Sequence, residues 1–539
     1  MDITQSPIFR LNEERQAIVD EVIAREMAEK ARDDAAIELA INDTAYHEVA
    51  RLEHQKRYKA KHQEWCDLYR TLGQRGPEEK RRLLEGLIRD AAWDIVGNFD
   101  ARVYRLSTTL VPKGLGVLFK SQLRGSQAAL KERLTLTGQI EQLKRLAEIG
   151  TVILVPTHSS NLDSVVVGYA LYELGLPPFT YGAGKNLFSN VLLSYFMRHL
   201  GAYRVDRRLK HTLYKDTLKT YSTVLLERGF HSLFFPGGGR ARSNAVEQKL
   251  KLGLLGTGLA AYINNLRAGK AHPKVYVVPM TINYPLTLEA DTLIDDHLKE
   301  IGKSRYIIED DESSKLGRIF AYSKAVLEME SRTFLQVGAA LDVFGNRVDM
   351  EGRSYDNRGR EIDTRKYVEV GGEPRHERTR DVEYTRELGL AIADAFKRNT
   401  MALATHVVAF ALWQLITDRH RDMDLYHLIR LPAETALPVG LVLEGISRLR
   451  DRLMIEVAAG RVLVSPTIHG ESAERILEVA LHYFQMYHLK PLAVREGDMV
   501  RLNDLKLLFY YHNRLTGYGL ESVFESELPE HVRDEWVNV

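Results

Sequence analysis

The stretch Val155-Pro156-Thr157-His158-Ser159-Ser160-Asn161-Leu162-Asp163 places an aspartate five residues after a histidine, directly beyond an apolar run. An aspartate held on one imidazole nitrogen fixes the tautomer and leaves the other nitrogen able to take a proton from an alcohol, which is general-base chemistry. The spacing alone decides little. His62/Asp67, His211/Asp216 and His376/Asp381 share it, and within one helix five residues turn through about 140°, so such side chains point apart. Only His158 follows an apolar strand pattern, where a loop-to-helix bend can bring Asp163 back. The plain alternative is that Asn161 or Asp163 caps the next helix and His158 is a turn residue.

Three further segments have the right composition for an anionic substrate. Gly201-Ala202-Tyr203-Arg204-Val205-Asp206-Arg207-Arg208 carries three arginines near a strand end, with Lys210 and Lys215 beyond. Guanidinium offers paired donors to phosphate oxygens, although charge runs are commonly solvated faces. Leu233-Phe234-Phe235-Pro236-Gly237-Gly238-Gly239-Arg240-Ala241-Arg242-Ser243 is an apolar strand ending in a glycine turn with two arginines after it. Glycines let backbone N–H groups approach an anion; no Gly-Lys-Ser/Thr follows, so this is not a nucleotide P-loop, and a plain tight turn is the alternative. Val277 to Tyr284 is an apolar strand containing Pro279. Base, arginines and glycine turn recur at the ends of successive strands, where open α/β sheets form ligand sites.

The elements that must position these residues are read from the periodicity. Residues 1–124 are rich in Ala, Glu, Lys, Arg and Leu and read as an α-helical N-terminal domain, interrupted by Pro112, Gly114 and Gly116. A helix over about Gly125 to Glu148 opens an α/β domain spanning 125–345, with strands at Thr151 to Pro156, Ser232 to Phe235, Val275 to Pro279 and Thr333 to Gly338. The charged, glycine-rich stretch 346–381 reads as a linker, and 382–539 as a mainly helical C-terminal domain with a short hairpin at Met454 to Pro466. The expected fold is α/β: a central mixed or parallel sheet flanked by helical N- and C-terminal domains.

In order and content the four segments resemble the sequence blocks of the glycerolipid acyltransferases, most closely the glycerol-3-phosphate acyltransferase branch, over about 125–345. His158 and Asp163 match the family's His-x4-Asp pair, Gly201 and Arg207 its second block, Gly238, Arg240 and Arg242 its third, and Pro279 its fourth. Tyr284 and Glu289 match a tyrosine-to-glutamate spacing after the proline. The third block departs in one place, with Gly237 where the family has a glutamate. The resemblance implies transfer of a fatty acyl group from acyl-CoA or acyl-acyl carrier protein to the sn-1 hydroxyl of glycerol 3-phosphate, giving lysophosphatidate for phospholipid biosynthesis. His158 would be the general base, oriented by Asp163, with Arg207, Gly238, Arg240, Arg242 and Lys185 binding substrate; no cofactor or metal is implied. Dihydroxyacetone phosphate or lysophosphatidate as acceptor, or a non-catalytic lipid-binding relative, fit the same blocks. A hydrolase built on Ser159 or Ser160 fits less well, because no Gly-x-Ser-x-Gly surrounds either.

Composition sets the outer limits. Lys plus Arg (74) balances Asp plus Glu (73) in 539 residues, so no global basic field points to nucleic acid. Cys66 is the only cysteine, which excludes an intrachain disulfide. The longest apolar run, Met401 to Ile416, contains Thr405, His406 and Gln414 and falls short of the roughly 20 residues of a membrane span; a buried helix is expected there. Leu187, Phe188, Val191, Leu192, Tyr195 and Phe196 form an apolar stripe between Lys185 and Arg198, suited to an acyl groove, to membrane contact, or to an ordinary core. The expected location is the cytoplasmic face of the cell membrane, peripherally bound.

Overall fold

The computed structural model describes residues 3–108, 134–185, 191–287, 289–302, 332–432, 435–486 and 490–525. Among these residues seven strands form the central sheet: β1 (Leu134–Gly138), β2 (Thr151–Pro156), β3 (Thr180–Gly184), β4 (Ala202–Val205), β5 (Ser232–Leu233), β6 (Val275–Asn283) and β7 (Thr333–Val337). Their order is β1-β7-β6-β2-β5-β3-β4. From β6 to β4 all neighbours are parallel, β7 runs antiparallel to β6, and β1 is parallel to β7. The sheet is mixed, as the α/β reading expects.

Every residue of β2 is buried, which explains its unbroken apolar sequence: a central strand covered on both faces needs no polar alternation. Its side chains alternate between two cores. Val152 and Leu154 join Leu143, Val167 and Leu171 under the helices Ile140–Ile149 and Asp163–Glu173. Ile153 and Val155 join Leu255, Leu259, Ile392 and Phe396 under the helices Leu252–Arg267 and Arg378–Asn399. The strand is thereby clamped from both sides, and its C-terminal end is a fixed platform.

Among the described residues the N-terminal region includes the α-helices Leu11–Lys30, Asp34–Leu52, Lys59–Thr71 and Pro77–Ile95. Their apolar faces share a core with Tyr203 of β4 and with Tyr221 and Leu225 of the helix Thr212–Glu227. The C-terminal core is built around the helix Ala404–Arg419, buried on nearly all sides as expected for the Met401 to Ile416 run. No helix among the described residues is long and apolar enough to cross a membrane.

Four expectations are corrected. The helix read over Gly125 to Glu148 is, in its described part, strand β1 followed by the helix Ile140–Ile149, with Gly138 at φ +93° making the break. The supposed linker 346–381 folds into short antiparallel ladders, Arg347–Val348 with Ser354–Tyr355, Ser354–Tyr355 with Glu361–Ile362, and Glu369–Val370 with Glu373–Pro374. The hairpin at Met454 to Pro466 is the end of the helix Val439–Ala458 plus a strand, Leu463–Val464, that pairs in parallel with Met401–Ala402. The helix Ala290–Gly302, placed in the α/β unit by sequence, packs into the C-terminal core. Pro112, Gly114, Gly116, Leu187 and Phe188 lie outside the described residues.

Candidate active site

Beyond Pro156 the chain leaves the sheet at Thr157, whose N–H donates to Met280 O (3.0 Å) and whose hydroxyl accepts from Ile282 N (3.0 Å). The next turn closes on Asp163. His158 Nδ1 lies 2.8 Å from Asp163 Oδ2, and the Ser159 and Ser160 N–H groups donate to the same oxygen at 2.6 and 2.9 Å. Tyr284 Oη donates to the other oxygen at 2.7 Å. Asp163 is thus wholly buried yet supplied with four donors, so it orients the ring rather than merely capping the helix it begins. Because Nδ1–H is spent on the carboxylate, Nε2 is the basic nitrogen. The ring stacks on Phe235 (centroids 4.1 Å apart, planes at 21°) and keeps 18% of its side-chain surface exposed. A substrate hydroxyl can reach it.

The glycine turn is fastened to the same place. Gly238, at φ +73°, donates its N–H to Phe235 O (3.2 Å), a left-handed conformation that glycine adopts without steric cost. Ala241 N–H donates to His158 O at 2.7 Å, so Arg240 enters beside His158. Arg240 Nη1 sits 3.6 Å from Glu289 Oε1, both groups being buried. Glu289 in turn accepts from Ser160 Oγ and Asn161 N, each at 3.0 Å. Burial pushes the Glu289 carboxyl upward, against the pull of Asn161 N–H and Arg240. Tyr284 and Glu289, singled out in sequence by their spacing, each hold one part of the His158 turn.

The remaining candidates stand farther along the same edge. The C-terminal ends of β2, β5, β3 and β4 lie side by side, so β4 ends three strand spacings, about 14 Å, from β2. Gly201, at φ +89°, immediately precedes β4 and donates its N–H to Asn98 O (2.8 Å). Arg207 is exposed just past β4. Lys185, past β3, is held by Asp94 (2.9 Å) and Asp206 (3.5 Å). Arg242 faces outward to Glu300 at 3.1 Å. His158, Asp163, Gly238 and Arg240 are brought together, whereas Lys185 pairs with Asp94 and Asp206, and Arg242 with Glu300. Of the stripe, Tyr195 is 48% exposed.

Residues 138–283 match the family model described as Acyltransferase. The chain contains an acyltransferase-family domain. It is 27% identical over 206 residues to a protein of Xanthomonas axonopodis pv. citri (strain 306) described as glycerol-3-phosphate acyltransferase, covering 38% of this chain and 21% of that one. A protein of the same description from Pseudomonas fluorescens (strain SBW25) is 28% identical over 391 residues, covering 69% of this chain and 42% of its own length. The chain therefore spans well under two thirds of these relatives. The crystal structure of the 1-acyl-sn-glycerophosphate acyltransferase from Thermotoga maritima aligns at 14% identity with a TM-score of 0.22, over 45% of this chain and 83% of the other.

The acyltransferase domain is backed by residues that motif reasoning left unassigned. Arg514, buried, donates through Nη2 to Ile282 O (3.1 Å) and Asn283 Oδ1 (3.0 Å), at the end of β6. Burial lowers its pKa, against the pull of Tyr518, Tyr510, Glu247 and Asp163. Tyr511 Oη accepts from Thr287 N (3.1 Å), Asn513 Nδ2 donates to Ser243 O (3.1 Å), and Asn244 Nδ2 donates to Tyr510 O (3.3 Å). The C-terminal region is thus hydrogen-bonded to the end of β6 and to the loops after β6 and after the glycine turn, and Tyr510, Tyr511 and Asn513 serve that contact. The signal available in sequence was a cluster of polar residues, His512 to Arg514, inside an otherwise apolar helix end.

Proposed function

We propose that this protein transfers a fatty acyl group from an acyl thioester, carried by coenzyme A or acyl carrier protein, to the sn-1 hydroxyl of glycerol 3-phosphate, giving lysophosphatidate for phospholipid synthesis. The observation that carries the reading is the His158–Asp163 pair in the turn after β2, its carboxylate buried and its imidazole part-exposed. His158 Nε2 removes the hydroxyl proton as the oxygen attacks the thioester carbonyl. Asp163 stabilises the imidazolium that forms. Collapse of the tetrahedral intermediate breaks the C–S bond, and the proton passes from His158 to the departing thiolate, so no acyl-enzyme is needed. Arg240 holds the phosphate together with Arg207 and Arg242, the latter giving up Glu300, and Lys185 lies along the same edge. Fixing the phosphate aligns the hydroxyl on the base. The glycine turn offers backbone donors to the oxyanion. The donor's acyl chain and the amphiphilic product place the reaction at a membrane surface, with the chain bound peripherally on its cytoplasmic face.

The test is transfer from labelled palmitoyl-CoA and palmitoyl-acyl carrier protein to glycerol 3-phosphate, dihydroxyacetone phosphate and lysophosphatidate, with His158→Ala alongside. Lysophosphatidate made by the wild type and lost in the variant supports reaction and base together. Transfer to another acceptor only reassigns the substrate. No transfer to any of the three, with folded protein and lipid present, leaves a lipid-binding relative without catalysis.

A further inference from the structure

Gly237 and Gly238 are glycines for different reasons. Gly238 needs its positive φ, whereas Gly237 has an ordinary backbone conformation that any residue adopts. What bars a side chain at 237 is space. A Cβ built there would lie 2.3 Å from Glu247 Oε1, 2.6 Å from Cδ and 3.0 Å from Oε2. The carboxyl of Glu247 therefore stands where a side chain at 237 would begin. The loop that delivers it is closed on the glycine turn by Lys251 N–H donating to Pro236 O (2.7 Å), and bent by Asn244 at φ 67°.

Both carboxyl oxygens of Glu247 are sealed from solvent, and among the described residues neither makes a geometrically complete hydrogen bond. Such an arrangement costs stability, and native proteins seldom keep it without a use. Burial pushes the acid up to about 8, opposed by the His158 backbone N–H and the Arg514 charge and aided by Asp163. Near neutral pH the group is therefore a carboxylic acid with a proton to donate. It lies between the turn bearing the base and the turn bearing Arg240.

We propose that Glu247 is a positioning residue for acyl transfer: from across the loop it supplies the carboxyl that Gly237 lacks, and it locks the His158 turn against the glycine turn. This rests on the acyltransferase reading of the site. It also accounts for the departure at Gly237, because a second carboxyl there has no room.

Four variants of the full chain test it, each measured for Tm, for kcat and for KM toward glycerol 3-phosphate. Glu247→Met fills the space with an apolar chain of similar length, so Tm should hold or rise. Its kcat should nevertheless fall about 100-fold through misplacement of the base, with KM nearly unchanged. Glu247→Gln, neutral and able to donate, should keep most of the activity. Gly237→Glu should lower Tm and kcat, and the double variant Gly237→Glu/Glu247→Ala should regain both. A fully active Glu247→Met would make Glu247 mere filler and overturn the proposal. A double variant with a Tm no better than that of Gly237→Glu would show that the two positions do not share one space, and overturn it equally. If the wild type itself transfers no acyl group, the proposed reaction falls first. The positioning role falls with it, while the Tm comparison still decides whether the two positions share that space.

Discussion

Two histidine–aspartate pairs in this protein share the same spacing and both meet. His158 and Asp163 approach to 2.8 Å, His376 and Asp381 to 3.5 Å, each across a loop-to-helix junction. Their surroundings separate them. Asp163 is fully buried at the start of the helix that follows a core strand and is held by two backbone N–H groups and Tyr284, while the His158 side chain keeps 18% of its surface exposed. Asp381 is part-buried rather than sealed, engaged by Arg380 and Glu377 N–H, and the far nitrogen of His376 is occupied by Asn264 Oδ1 at 2.8 Å. A shared spacing therefore suits the base proposed above only where burial fixes the carboxylate and, among the described residues, the second nitrogen is not taken by a neighbour as it is in His376.

The largest expected effect exploits that contrast. Asp163→Asn should lower kcat for acyl transfer by about 10³–10⁴-fold, because the amide no longer selects the tautomer with a basic Nε2. Asp381→Asn should leave transfer within about twofold, since surface substitutions away from a site are nearly silent. Steady-state assays on both, with circular dichroism to confirm folding, check this. Equal losses in the two variants would mean that the buried pair has no special role.

A smaller effect should come from Tyr284→Phe, which removes one of four donors to Asp163 and leaves the ring's packing intact. A hydrogen bond to a charged group contributes about 1.5–3 kcal/mol, so a fall in kcat of roughly tenfold or more is expected if the bond holds the carboxylate in its catalytic position. Stability lost with kcat unchanged would instead assign Tyr284 to folding alone.

Much of this site was legible because its strands are core. An unbroken apolar run such as Thr151 to Pro156 has few alternatives to a central strand, and the polar residues after it must turn at the sheet edge. The failures have physical reasons. Strand β1 alternates Leu-Thr-Leu-Thr but exists only through pairing with β7, about 200 residues later, which no local pattern contains. In 346–381 the charges are structural: Asp349 accepts from Glu351 and Arg353 N–H and binds the Arg353 side chain, and Asp356 repeats this with Arg358 and Arg360. Such turns fold on side-chain-to-backbone bonds, without the apolar periodicity that marks a strand. Glu247 was invisible for a third reason, since nothing in the sequence indicates that its carboxyl returns to the space beside Gly237.

The smallest effect concerns stability at the surface pair. For Asp381, burial works upward on the carboxyl, but the His376 and Arg380 side chains and the Glu377 N–H win and hold it below its ordinary value of 3.8. A depressed folded value means that the unfolded chain takes up the proton first as pH falls, so the stabilisation is complete above the unfolded value and is lost on going down through the folded one. Asp381→Asn should accordingly cost about 0.5–1 kcal/mol near neutral pH, the range of exposed ion pairs. Urea midpoints should show a clear gap from wild type at about pH 5 and a narrower one at about pH 3.5. A gap that persists undiminished in acid would mean that Asp381 acts there as a neutral hydrogen-bonding group at the start of its helix, and the two pairs would then differ in charge as well as in burial.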